Sequence, residues 1–354
     1  MRRKRCHGAR MYKVKRACGA ALITLAVLGA GSAAQDPASS GASTAYVEMN
    51  EAGKMQMAHL TVDSTLGDVL HHPAFAGFAR HLLPWDDKPY DERLRLTDIG
   101  SILPYHTHVD PEVIVPSLNR MIDDVGTGRP VFYDFYSDAE KRADPTRKNA
   151  GLFYFRGKPG APFCVIAPGG GFAYVGSVHE GFPHANEISK LGYNAFVLKY
   201  RAGQGGQVAT ADLAAAISYI FRNAAILEVS TVGYSLWGSS AGARMAAAIG
   251  SRGTARFGGS DLPKPSAVVI AYTGHTDVSA YEPPTFVVVG ERDAIASPST
   301  MRRRVDALRR AGTEVEFHEY RGLGHGFGLG AGTSAEGWVL QAVRFWARQL
   351  QKKN

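Results

Sequence analysis

Apolar positions follow three different patterns along the chain. From 17 to 30 an apolar, Gly/Ala-rich stretch runs through Leu22, Ile23, Leu25, Val27 and Leu28, after a basic head that ends at Arg16. Between 57 and 125, helical fragments are cut by Pro73, Pro84, Pro89, Pro104, Pro111 and Pro116. Asp110-Pro111-Glu112 reads as a helix start there, since Pro suits the first helical turn. From Val131 onward, short apolar runs take over at 131–136, 152–155, 163–167, 193–200, 232–237, 267–272, 286–289 and 315–320. Helical patterns separate them, including an Ala-rich one at 209–227. Apolar runs alternating with helical stretches predict a mostly parallel sheet covered on both faces. A final helix is expected from the stripe Trp338, Val339, Ala342, Val343, Trp346 and Leu350, with Thr333-Ser334-Ala335-Glu336 as its capping box.

Charge changes the picture at the N-terminus only. The formal charge is +8, but residues 1–34 hold eight of the 40 cations and none of the 32 acids, leaving 32 of each sign beyond them. The basicity belongs to the leader, so a nucleic-acid surface loses its main support. The leader reads as an export signal: a basic head, an apolar run shorter than the roughly 20 residues of a membrane span, and Ser32-Ala33-Ala34 before Gln35. Met11 would open a signal of ordinary length as well as Met1. Cys6 and Cys18 leave with this leader, and Cys164 alone cannot form an internal disulfide. A periplasmic or secreted protein with no stable membrane span after cleavage is expected. A Ser/Ala/Gly-rich tether at 35–56 and an N-terminal extension at 57–129 come before a catalytic domain at 130–354.

The chemistry should lie beyond the carboxyl ends of the strands. After the run at 232–237 comes Gly238-Ser239-Ser240-Ala241-Gly242 and then an Ala-rich helix, a G-x-S-x-G on a strand-turn-helix. Ser240 is therefore the candidate nucleophile; Ser235 and Ser239 lack glycines at that spacing. A serine hydroxyl needs a base, and the base an orienting acid. His325, in the glycine-rich loop after the last strand, suits the base better than His275 or His318. Asp293, after the run at 286–289, suits the acid, with Asp277 as fallback; Asp306 reads as a surface ion-pair residue. Two amides should meet the developing oxyanion. One is that of Ala241, and the other comes from Gly170 or Gly171 in Pro168-Gly169-Gly170-Gly171-Phe172. No Gly-Lys-Ser/Thr follows, which excludes a phosphate loop.

These motifs together resemble the α/β-hydrolase superfamily. Gly169-Gly170-Gly171-Phe172 is similar to its His-Gly-Gly-Gly oxyanion loop, with Pro168 in place of the supporting His. Residues 180–185 and 192–201 look like the segment that follows this loop in exported carbohydrate-esterase-like and prolyl-oligopeptidase-like hydrolases. The resemblance spans roughly 130–350. It implies the α/β-hydrolase fold, with a helical or irregular extension before it. It also implies a cofactor-free serine hydrolase acting on small carboxylic esters, acylated carbohydrate among them, through an acyl-enzyme. An exopeptidase and a non-catalytic hydrolase-fold binding protein are the alternatives.

Other constellations carry less. His106-x-His108-x-Asp110 has metal-ligand types without preset geometry, and no metal is assigned to it. His179-Glu180 reads equally as a pocket lining or a structural pair, and Trp237 as core. Phe75, Phe78, Leu82, Leu83, Pro84 and Trp85 form an apolar cluster that needs cover, which makes the extension either a lid or a brace. As a lid, residues 70–110 would line the acyl or alcohol site, with Trp85 or His106 nearest.

Overall fold

The computed structural model describes residues 57–352 and, before them, the backbone of one short ladder, β1 (Glu48–Met49) with β2 (Met55–Gln56). The expected leader and the rest of the tether lie outside the described residues. Eight further strands follow: β3 (Phe132–Tyr133), β4 (Gly151–Phe155), β5 (Pro162–Ala167), β6 (Asn194–Lys199), β7 (Ser230–Ser239), β8 (Ala267–Ala271), β9 (Thr285–Gly290) and β10 (Val315–Tyr320). They make one sheet in the order β10-β9-β8-β7-β5-β6-β4-β3, parallel except where β4 meets β6 and β3. Every residue of β4, β6, β8 and β9 is buried, as continuous apolar strands between two helical layers should be.

Four helices precede or interrupt the start of the sheet: α1 (Leu66–Leu70), α2 (Ala79–Leu82), α3 (Pro111–Gly126) and α4 (Asp138–Ala143). Five more alternate with the later strands: α5 (Phe182–Lys190), α6 (Gly205–Arg222), α7 (Ala241–Arg252), α8 (Pro298–Arg310) and α9 (Trp338–Gln351). As the sequence suggests, Pro111 opens α3 behind an Asp110 cap that accepts from the Glu112 amide. The expected capping box of α9 is not one. That helix begins at Trp338 behind Gly337, whose φ is 81°. Thr333 instead donates to the Gly330 carbonyl at 2.6 Å, and the Glu336 carboxylate accepts from the Gly332 amide, so a local turn absorbs the motif. The run at 131–136 yields only two ladder residues, because β3 is an edge strand. Tyr136 leaves it to donate to buried Asp212 at 2.6 Å.

The extension is part of the same core. Leu66, Phe75, Leu82, Leu83, Leu96 and Ile99 are all buried. Phe78 stacks on Phe132 of β3 at 5.0 Å and meets Phe153 edge-on. Lys199, wholly buried at the end of β6, donates to the Leu83 and Pro84 carbonyls and pairs with Asp86 at 2.9 Å. Burying an ammonium is costly unless it is fully partnered, and the extension supplies all of these partners. Among the described residues, no helix is long and apolar enough to cross a membrane.

Candidate active site

β5 and β7 are neighbours, with Ala167 beside Gly238, so the loop after β5 and the turn after β7 leave the sheet side by side. The connections diverge at this pair, which makes it the switch point where a parallel sheet opens a crevice. β9 and β10 end level, Gly290 beside Tyr320, so their following loops also start together. These two pairs of strand ends lie on the same edge of the sheet, one strand (β8) apart.

Ser240 joins β7 to α7 at φ 50°, ψ −113°, a conformation that L side chains rarely adopt. The turn is permitted by close backbone approach: a Cβ on Gly242 would overlap the Ala167 carbonyl oxygen, and one on Gly238 would overlap that of Gly242. The Ser240 hydroxyl donates to His325 Nε2 at 2.9 Å. His325 Nδ1 donates to Asp293 Oδ2 at 2.8 Å, which fixes the tautomer that leaves Nε2 as acceptor. The other Asp293 oxygen accepts from the amides of Ile295 and Ala296, at 2.8 and 2.6 Å. Asp293 and His325 are 5% and 6% exposed, dry enough for this chain to be strongly directional. Tyr272 sets its ring against the imidazole at 5.2 Å.

The rivals are elsewhere. Asp277 pairs with Arg252 on the surface, Asp306 with Arg309, and His318 lies in β10 against Glu316. Ser235 accepts from the Trp237 indole inside the core. His106, His108 and Asp110 do not converge. His106 turns inward to Tyr174 and Glu180, His108 is exposed, and Asp110 caps α3.

The loop after β5 lies against the serine, since a Cβ on Gly169 would stand 2.9 Å from that of Ser240. Gly170 and Gly171 have φ of 128° and 63°, and among the described residues nothing accepts from their amides. Ala241 opens α7, so its amide is one of the unpaired first-turn donors. Tyr105, 43% exposed, reaches this loop from the extension, with its ring 3.0 Å from where a Gly171 side chain would start. The sequence pointed to Trp85 or His106, but the atoms nearest the Gly171 position belong to Tyr105. Trp85 packs on Tyr174, and the His106 side chain is 2% exposed.

Sequence reasoning left one residue undecided that belongs here. Glu180 is fully buried in a π-turn over Ser177–Gly181, and its Oε2 accepts from the Gly169 amide at 2.6 Å. Burial pushes its pKa up, but His106 first, with His179 and Tyr272, together outweigh burial and hold the carboxyl low, at about 2. Beside it, burial holds His179 neutral, lowering its pKa to about 3, and its Nε2 donates to the Gly326 carbonyl at 2.8 Å. The available signal was an acid soon after the glycine loop, within residues 159–189, which carry no Lys or Arg.

Two family models match parts of this chain, BD-FAE over residues 155–281 and the Prolyl oligopeptidase family over residues 268–353. The chain is 20% identical over 222 residues to the acetylxylan esterase of Xylanibacter ruminicola. That match takes in 54% of this chain and 46% of the relative, so the chain spans about half the length of the curated protein it matches. Among solved structures, a sugar hydrolase from Lactococcus lactis is 20% identical with a TM-score of 0.50, over 58% of this chain and 96% of that one. An acetyl ester-xyloside bifunctional hydrolase from Caldicellulosiruptor lactoaceticus is 19% identical at the same TM-score, over 56% and 88%. The fold is that of the α/β hydrolases.

Proposed function

We propose that this α/β-hydrolase-fold chain is an exported serine esterase that cleaves small carboxylic esters through an acyl-enzyme, with acetylated carbohydrate as the substrate class. The observation that carries the reading is the hydrogen-bonded line from Ser240 through His325 to Asp293 beside the unpaired amides of Gly170, Gly171 and Ala241. Ser240 Oγ attacks the ester carbonyl carbon while His325 Nε2 takes its proton. The charge that develops on the carbonyl oxygen is met by the three amides, and Asp293 stabilises the imidazolium without itself accepting the proton. Collapse breaks the bond to the alcohol oxygen, which leaves with the proton from His325. Water, deprotonated by the same nitrogen, then releases the acid and restores Ser240.

The choice of an acetylated sugar is supported by the curated relative's being an acetylxylan esterase. Export is supported by the composition of residues 1–34. The second reading, an exopeptidase, is favoured by the Prolyl oligopeptidase match over 268–353. A fluorophosphonate probe on wild type and Ser240→Ala, followed by panels of acetyl esters and aminoacyl peptides, tests the reading. Labelling lost with the serine and turnover of acetyl esters alone would support it. Turnover of peptides alone would give the assignment to the exopeptidase, and no labelling at all to a non-catalytic protein.

A further inference from the structure

The oxyanion loop begins with Pro168 where a histidine brace stands in the similar hydrolases, yet the loop is firmly held. Tyr200, wholly buried, directs its hydroxyl at the carbonyls of Pro168 and Gly169, at 3.1 and 3.4 Å, and the Gly176 amide donates to the Gly169 carbonyl at 2.9 Å. The Gly169 amide itself donates to Glu180 at 2.6 Å, a short, charge-assisted bond. Glu180's other oxygen lies 3.2 Å from His106 Nε2, close but poorly aligned. The Tyr105 amide donates to the Tyr174 hydroxyl at 3.1 Å, and that hydroxyl lies 2.9 Å from His106 Nδ1, so His106 is tied to the loop's neighbour on its other side.

A carboxylate with 0% exposure and no lysine or arginine pairing with it among the described residues is an expensive way to fill a core. A leucine or methionine would fill the volume at less cost. What a carboxylate adds is a strong acceptor aimed at one amide. With the Gly169 amide engaged inward and its carbonyl pinned from two sides, the next two amides are left free beside Ser240. Resting on the esterase reading above, we propose that Glu180 is a positioning residue. It holds the Gly169 amide so that those of Gly170 and Gly171 are free for the substrate oxyanion, and His106 secures it from the extension side. Without it, the buried Gly169 N–H would turn toward another acceptor and rotate the peptides that follow.

The test is Glu180→Gln, which keeps the shape and removes the charge, with His106→Gln as the second variant should the first fold poorly. We expect kcat on an acetyl ester to fall about 10- to 100-fold in Glu180→Gln, with KM within about threefold. Affinity for a trifluoromethyl ketone, whose serine adduct carries the oxyanion, should fall by the same factor. In ¹⁵N-labelled protein, the far-downfield Gly169 amide proton should move upfield, and exchange at residues 169–171 should quicken. A core-filling role predicts a lower Tm with unchanged kcat in the folded fraction. Wild-type kcat and ketone affinity, or an unmoved Gly169 resonance, would overturn the proposal. Should the wild type fail to react at Ser240, the esterase reading falls, while the Gly169 resonance and exchange still decide whether Glu180 braces the loop.

Discussion

The Thr107 hydroxyl donates to the backbone carbonyl of His325 at 2.7 Å, and the Thr107 amide donates to the Gly326 carbonyl at 3.1 Å. A residue of the N-terminal extension thus holds the loop that carries the imidazole, although 218 positions separate the two in sequence. Thr107→Val keeps the shape and the backbone bond but removes the side-chain donor. Loss of one such bond is worth about 1 kcal/mol, so kcat should fall about 3- to 10-fold while Tm moves by only a few degrees. Unaltered kinetics on an acetyl ester would show that the loop needs no help from the extension.

The hydrogen-bonded line makes a graded prediction. Ser240→Ala and His325→Ala should each lower kcat by roughly 10⁴- to 10⁶-fold, and Asp293→Asn by somewhat less. Asp277→Asn should be silent, because Asp277 is on the surface with Arg252. Steady-state kinetics on the four variants decide it. A severe Asp277→Asn beside a mild Asp293→Asn would reverse the assignment of the acid.

The sequence made the sheet, the elbow and the line of three legible because each follows a strand end, and strand ends can be found from apolar runs and glycines. Ser240, Asp293 and His325 each stand within five residues of their strand. What stayed hidden depends on contacts made across long separations. Glu180 and His106 are 74 positions apart and meet only once the extension has folded back over β6, where Lys199 takes its partners from residues 83–86. No periodicity encodes that meeting. The Thr333–Glu336 motif failed for the opposite reason: a local pattern was right in type, but a positive-φ Gly337 intervened before the helix.

Buried histidines predict an acid-sensitive fold. Burial lowers His179 to about 3 and His184 to about 4, from an ordinary 6.5. Both are neutral in the folded protein, so as pH falls below 6.5 the unfolded chain takes up these protons first. Stability is full above 6.5 and is lost progressively below it, by about 1 kcal/mol per pH unit for each group, down to the folded values. Glu180, held at about 2, adds loss in the same direction, but only below 4.5. Urea unfolding at pH 7.5, 6 and 5 should show the decline, and His184→Gln should make it shallower. A flat profile across that range would contradict the buried neutral imidazoles.

The last prediction separates a lid from a brace in the extension, where the structure divides the two roles between residues. Phe78 lies against Phe132 on the outermost strand of the sheet, so it braces. Trp85 packs at 4.7 Å on Tyr174, donates its indole N–H to the Ile102 carbonyl at 2.8 Å and carries the Lys88 ammonium 3.3 Å above its ring, so its ring faces and its N–H are engaged within the extension and with Tyr174. Tyr105 combines exposure with contact at the Gly171 position, so it is the residue placed to touch an acyl or alcohol group. Phe78→Ala should cost about 2–3 kcal/mol, lowering Tm and reducing activity equally on short and long p-nitrophenyl esters. Tyr105→Ala should leave Tm within a few degrees while changing the ratio of short- to long-chain activity several-fold, because an exposed ring carries little packing energy but does set the shape of the opening. A preference shift from Phe78→Ala with Tm unchanged would restore the lid to residues 75–85. Equal losses on every ester from Tyr105→Ala would make the whole extension a brace.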